Sequence, residues 1–160
     1  MTLLEQKIDA IANILLADNP QSRADALTQM QKLMDISPEE AKQKKVDNLI
    51  DSMLLDLGVP DHILGFGYLQ TAITIAVDDP SIIPYITKGL YPMVADAHNT
   101  TASRAERVIR HAIEVGWDRC DFDMQTKYFG GKISPEKGKP TNSEFIARCA
   151  NIIRKRLAGR

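Results

Sequence analysis

The stretch VADAHNTTASRAERVIRHAIEVGW, residues 94–117, carries the clearest structural pattern of the chain. On a helix of about 3.6 residues per turn, its apolar and small side chains fall on one side and its charged side chains on the other. The apolar side holds Ala105, Val108, Ile109, Ala112, Ile113 and Gly116. The other side holds Ser103, Arg104, Glu106, Arg107, Arg110, His111 and Glu114. The pattern predicts a helix over about 101–119 that packs on a protein body and leaves three arginines free.

A short turn leads into this helix. Asn99-Thr100-Thr101 follows another helical segment, and asparagine tolerates the left-handed backbone conformation that such a turn can require. Two helices joined by a tight turn, the second with a cationic free face, are typical of a helix-turn-helix. Such a helix fits the DNA major groove, where arginine pairs with guanine and glutamate accepts a hydrogen bond from cytosine.

The same residues fit a second interpretation, in which the helix is an ordinary amphipathic one with a salt-bridged outer surface. Glu106 and Arg110 stand four residues apart, the spacing of an ion pair on one helix face. Ser103 and Glu106 have the spacing of a capping box. The pattern alone therefore leaves DNA binding and a merely solvated face both open.

Outside this stretch the periodicity is also helical, which predicts an all-α fold, a compact bundle of several helices with an N-terminal helical extension. Apolar residues recur every three or four positions in two N-terminal stripes, Leu4/Ile8/Ile11/Leu15 and Leu27/Met30/Leu33/Met34. Further helices are expected from Ser37 to Gly58, over about 61–77, as one bent or two short helices over 81–98, and from about Thr141 to Leu157. Residues 120–140 are rich in glycine and proline and are expected to be irregular.

Length and composition exclude several classes of protein. The chain has 160 residues, of which 44% are hydrophobic and 26% charged, and it contains no apolar run of the ~20 residues that a membrane span needs. Glu5, Lys7 and Asp9 interrupt the place where a signal peptide would be apolar, so we expect a cytoplasmic protein. Cys120 and Cys149 lack the spacing of a zinc site or a disulfide framework.

The charge is unevenly distributed along the chain. Residues 1–58 contain 6 basic and 10 acidic side chains, residues 59–98 contain 1 and 4, and residues 99–160 contain 13 and 7. The basic C-terminal part is therefore a candidate surface for a polyanion. We find no nucleophile–base pair, zinc signature or dinucleotide-binding loop, and we predict neither an enzyme nor a bound cofactor or metal.

Three strings of this sequence resemble the DNA-binding effector domain of the stage 0 sporulation response regulator family. They are ITKGLYP (86–92), NTTASRAERVIRHAIEV (99–115) and GKPTNSEFIA (138–147), and the resemblance extends from about Val46 to Leu157. It implies a six-helix bundle that binds a short DNA box and regulates transcription from neighbouring promoters. It also implies RNA polymerase as a partner.

The resemblance assigns DNA-binding roles to individual residues. Glu106 and Arg107 match positions that read bases. Positions that contact or approach the DNA backbone are matched by Ser103, Arg104, Arg110 and His111 on the same helix, and by Lys139 outside it.

The chain departs from the family in its N-terminal part. The full-length regulators carry a phosphorylatable receiver domain, whereas residues 1–45 are too short and too helical to form one. We therefore divide the chain into a helical extension, 1–45, and an effector domain, 46–160. Each stripe of the extension belongs to a helix too short to be stable alone, so it must be buried either on the chain's own body or on a second copy. Since the resemblance implies an effector domain whose core is complete without the extension, we expect a homodimer, and docking on the chain's own surface is the alternative. The alternative function is a protein-interaction module that pairs with and titrates a full-length regulator or another protein.

Overall fold

A computed structural model describes residues 2–16, 19–130 and 138–159 of the chain. Within these residues there are eight α-helices and no strand, which confirms the predicted all-α fold. The helices are α1 (Leu3–Leu16), α2 (Pro20–Asp35), α3 (Pro38–Asp56), α4 (Leu64–Asp78), α5 (Tyr91–Ala97), α6 (Ala102–Arg119), α7 (Phe122–Phe129) and α8 (Asn142–Leu157). A 3-10 helix, Pro80–Tyr85, and a π-helical segment, Ile86–Leu90, connect α4 to α5. In the described parts of the chain, no helix is both long enough and apolar enough to cross a membrane.

The chain forms two compact units, Met1–Lys45 and Val46–Arg160. In the first unit α1 packs against α2, and the small side chains of Ala10 and Ala26 are buried. The larger apolar side chains of the two stripes remain exposed, namely Leu4, Ile8, Ile11, Leu15, Leu27 and Met34. Met30 is half-buried, and the side chain of Leu33 lies outside the described part of the structure. The contact between α1 and α2 thus buries alanines and leaves most of the leucine and isoleucine surface of the two helices in solvent.

Local signals set the start of α3. The backbone N–H of Glu40 donates to Ser37 Oγ at 3.1 Å, and the backbone N–H of Ser37 donates to Glu40 Oε2 at 2.8 Å. Together with Pro38 at the first helical position, this reciprocal pair satisfies N–H groups that have no partner within the helix. The helix start predicted at Ser37 is confirmed.

The second unit is built around α4 and α6. α4 packs against both α6 and α8, and α5 packs against α6. The apolar face predicted for α6 is buried at Ala105, Ile109, Ala112, Ile113 and Gly116, while Val108 is half-buried. Other fully buried side chains of this core are Met53, Leu54, Leu69, Ile73, Phe145, Ile146 and Ile153. The face of α6 that carries the arginines is therefore held outward by a well-filled core.

The structure corrects the sequence prediction in two places. Residues 61–63 form a turn, and α4 begins only at Leu64. Residues 122–129, expected to be irregular, form α7, which Asp121 caps by accepting the N–H of Met124 at 2.9 Å. Because α7 has only eight residues, its stability depends on burying Tyr128 and Phe129, which local periodicity did not reveal.

Candidate nucleic-acid interface

The turn between α5 and α6 is fixed by hydrogen bonds and by one ring contact. Asn99 adopts the left-handed conformation, with φ of 52°, as its residue type predicted. The N–H of Thr100 returns to the carbonyl of Ala95 at 3.0 Å. His98 shares a 2.8 Å hydrogen bond with Thr71 Oγ1 and packs its ring against Tyr68, with 4.2 Å between centroids. The angle at which α6 leaves the body is thus set by contacts to both α5 and α4.

The cap of α6 differs from the predicted capping box. Thr101 is the N-cap residue, and its hydroxyl accepts the N–H of Arg104 at 3.2 Å. Ser103 is already inside the helix, so the Ser103–Glu106 capping box predicted as an alternative is wrong. The hydroxyl of Ser103 is exposed and stands beside Arg104 at the start of the free face.

A groove of about 750 Å³ runs along the free face of α6, and we call it the arginine groove. It is lined from α6 and its cap by Thr101, Ser103, Arg104, Arg107, Val108, Arg110, His111 and Glu114. Its other wall is formed at the start of α4 by Ile63, Leu64 and Gly65. Five of the seven predicted site residues therefore line one concave surface, with Glu114 as its acidic group. This concentration of cations suits a phosphate-rich ligand.

A second, smaller groove of about 370 Å³ lies between α6 and the start of α8, and we call it the α8 groove. Its lining includes the two remaining predicted residues, Glu106 and Lys139, together with Arg110. The seven predicted residues are thus divided between two adjoining grooves, and Arg110 belongs to both.

Glu106 and Arg110 form the ion pair that their spacing predicted. The side chain of Glu106 is only 24% exposed, whereas that of Arg110 is 60% exposed. Arg104, Arg107 and His111 are exposed, and no ion pair is found for them among the described residues. The guanidinium of Arg110 contacts Oε1 of Glu106, and a carboxylate has a second oxygen that can accept a further hydrogen bond.

Asn142, the first residue of α8, fastens that helix to the helix-turn-helix. Its amide nitrogen donates to the backbone carbonyl of Glu106 at 3.2 Å and to the hydroxyl of Tyr91 at 2.9 Å. Burial raises the pKa of Tyr91, while the Asn142 hydrogen bond acts in the opposite direction, and the phenol stays protonated at neutral pH. Thr141 and Glu144 form a complete capping box that ends the preceding loop. These contacts set the distance between the loop before α8 and the middle of α6.

Lys139 lies in that loop, immediately before the buried Pro140. Its Nζ forms an ion pair of 3.0 Å with Asp118 Oδ2 near the C-terminal end of α6. The side chains of Lys139 and Asp118 are 40% and 66% exposed, so the ammonium group of Lys139 remains accessible to an incoming phosphate. The ammonium group of Lys139, which is predicted to approach DNA, is thus already paired with a carboxylate on α6.

Sequence reasoning missed three residues of this surface: Leu64 and Asn142, which line the grooves, and Asp118, which pairs with Lys139. Asn142 lies inside the string GKPTNSEFIA, in which the resemblance gave a role only to Lys139, and Asp118 lies one helical turn beyond Glu114. No local signal marks Leu64, because its position beside α6 depends on how α4 packs. In the described portion of the chain, no three His, Cys, Asp or Glu side chains are placed to hold a metal ion.

Comparison with known families gives one finding. The model of the family described as "Sporulation initiation factor Spo0A C terminal" matches residues 50–153, which is more than half of the chain. The match includes α4, α5, α6 and α7 and the residues that line both grooves. It begins after the unit formed by Met1–Lys45.

Proposed function

The chain belongs to the family of the C-terminal, DNA-binding domain of sporulation initiation factor Spo0A, and from this membership we propose that it is a sequence-specific regulator of transcription that places α6 in the DNA major groove. The observation that carries the proposal is the arginine groove, where three arginines and a histidine share one face of a helix held outward by its core. A protein that acts on chromosomal promoters works in the cytoplasm. RNA polymerase is then its second macromolecular partner.

Base recognition is assigned to Arg107 and Glu106. Arg107 is exposed on the free face, and its guanidinium can donate two hydrogen bonds to guanine O6 and N7. The carboxylate of Glu106 can accept a hydrogen bond from the N4 amino group of cytosine while Arg110 remains beside it.

Backbone contacts are assigned to the residues that flank these two. Ser103 and Arg104 lie at the N-terminal end of α6, where the helix dipole also favours an anion. Arg110 and His111 follow one to two turns later, and Lys139 approaches from the loop before α8. Phosphate contacts on both sides of Glu106 and Arg107 would fix the register of α6 in the DNA major groove.

The experiment that tests this proposal is a selection from random duplexes with the full chain, followed by fluorescence anisotropy on the selected duplex and on a scrambled one. We expect a recurrent short box, and an affinity for it at least ~10³-fold above that for scrambled DNA at the same salt. The affinity should fall steeply between ~50 and ~200 mM salt. Equal affinity for both duplexes would overturn the proposal.

The alternative function, a module that titrates another protein, has one structural observation in its favour. The first unit exposes a row of apolar side chains that a partner protein could cover. If the full chain recovers no box from the selection but lowers the DNA affinity of a full-length family regulator when mixed with it, this alternative replaces the first.

The same row supports self-association of the regulator. Leu4, Ile8, Ile11 and Leu15 follow each other at intervals of four, three and four residues, which is the spacing of the apolar seam in a two-stranded coiled coil, and we call these four residues the seam of α1. All four are exposed, from 45% to 76%. A second copy of the same helix offers the identical seam, so a symmetric pairing would bury both at once. Such a dimer would raise the effective concentration of a second α6 on paired DNA sites.

A further inference from the structure

Leu64 is the exposed large apolar side chain among the residues that line the arginine groove, whereas Ile63 and Val108 are half-buried. Leu64 is the first residue of α4, and 57% of its surface is exposed. It lines the arginine groove together with Arg107 and His111 of α6. Its neighbour Ile63 is half-buried and packs against the core, so Leu64 alone of this pair projects mainly to solvent.

The backbone of α4 holds Leu64 at a fixed distance from α6. Gly65 lies so close to α6 that a Cβ atom there would stand 2.8 Å from the carbonyl oxygen of Val108 and would overlap the methyl group of Ala112. Such contact between two helix backbones leaves little room for one helix to slide on the other. Leu64 therefore occupies a defined position beside the free face of α6.

The major groove has one strongly apolar feature, the C5-methyl group of thymine, and apolar side chains read it by direct contact. Neither phosphates nor the other major-groove base edges offer a comparable partner for a leucine. Given the DNA binding proposed above, we infer that Leu64 is a specificity-determining residue that packs on the C5-methyl group of a thymine in the bound box. It complements the hydrogen bonds of Arg107 and Glu106 with a contact that requires no charge.

The test replaces single thymines of the selected box by uracil, which removes one methyl group and leaves the pairing edge unchanged. With the wild-type full chain, one such replacement next to the α6 contacts should weaken binding about fourfold, the value of one buried methyl group. With Leu64→Ala, the thymine and uracil duplexes should bind equally. Leu55→Ala is the matched control, since Leu55 is a leucine of similar exposure, 53%, and lines neither groove.

Each outcome separates this inference from the function on which it depends. If the wild type selects a box but discriminates no thymine from uracil, or if Leu64→Ala keeps the full discrimination, the contact is refuted while sequence-specific binding stands. If Leu55→Ala loses the discrimination as well, the effect is not specific to Leu64 and the inference is refuted. If the wild type selects no box at all, both the inference and the proposed function fall.

Discussion

Gly65 of α4 packs directly on Ala112 of α6, and the space between the two helices is too small for a Cβ atom at Gly65. A second close approach lies farther along α6, where a Cβ atom on Gly116 would stand 2.6 Å from Val59 Cγ2 and 2.9 Å from the carbonyl oxygen of Leu57. Glycine at these two positions lets α6 lie close to its neighbours. The orientation of the DNA-facing side of α6 therefore depends on residues that do not touch DNA.

The Gly65 contact leads to a prediction about stability. Gly65→Ala should lower the free energy of unfolding by about 1–3 kcal/mol, because the added methyl group forces α4 and α6 apart. Gly67→Ala, two residues along the same helix, is the matched control. Its Cβ would meet nothing nearer than His98 Cε1 at 3.7 Å, so helix propensity should leave it neutral or stabilise it by up to ~1 kcal/mol. Urea unfolding measures both, and equal effects would disprove the tight contact.

Arg107 is expected to read a base. Arg107→Ala should weaken binding to the selected box by about 1–3 kcal/mol and relax the preference at one base pair. Arg119→Ala is the control, since Arg119 is also exposed on α6 but lines neither groove. Anisotropy on the box and on its single-base variants measures the effect. If Arg107→Ala loses the same affinity for random DNA as for the box, Arg107 contacts phosphates rather than a base.

Arg104, Arg110 and Lys139 are expected to contact phosphates. Each alanine variant should weaken binding to every duplex alike and reduce the slope of log affinity against log salt by about one unit. Salt titrations from ~50 to ~200 mM on the box and on scrambled DNA measure the slope. A variant whose base preference changes while its salt slope stays the same would refute the phosphate role of that residue.

Asp118 is expected to oppose DNA binding through Lys139. Asp118→Asn removes a carboxylate 3.0 Å from Lys139 Nζ and leaves the ammonium group free for a phosphate. Since exposed ion pairs contribute about 0.2–1 kcal/mol, affinity should rise by up to about fivefold at low salt and the gain should shrink as salt increases. The gain should disappear in the double variant with Lys139→Ala. If the gain in affinity persists in the double variant, Asp118 opposes DNA binding through its long-range repulsion of the phosphates rather than through its pair with Lys139.

Self-association is predicted to depend on the seam of α1. Ile8→Asp places a charge in the middle of the seam and should convert a dimer into a monomer in light scattering of the full chain. Asn13→Asp is the control, since it adds the same charge at an exposed position of α1 outside the seam. A wild-type chain that is monomeric at every concentration measured would refute the dimer.

The individual helices and their caps could be predicted from the sequence alone. The amphipathic period of α6, the left-handed Asn99 before it and the serine cap of α3 each depend on residues within about one helical turn of each other, so short-range geometry and capping are enough to predict them. The family resemblance then identified the face of α6 and Lys139 as the candidate DNA-binding surface.

The two grooves could not be predicted from local sequence, because they bring together residues that are distant along the chain. Lys139 meets Asp118 across 21 positions, and Asn142 reaches Glu106 across 36. Leu64 enters the arginine groove only because Gly65 lets α4 approach α6, and α7 forms where Tyr128 and Phe129 find a core to bury them. A period of 3.6 residues states which face of a helix is apolar, but it does not state which other helix covers that face or which polar side chains this brings together. Those pairings follow from packing across the whole second unit.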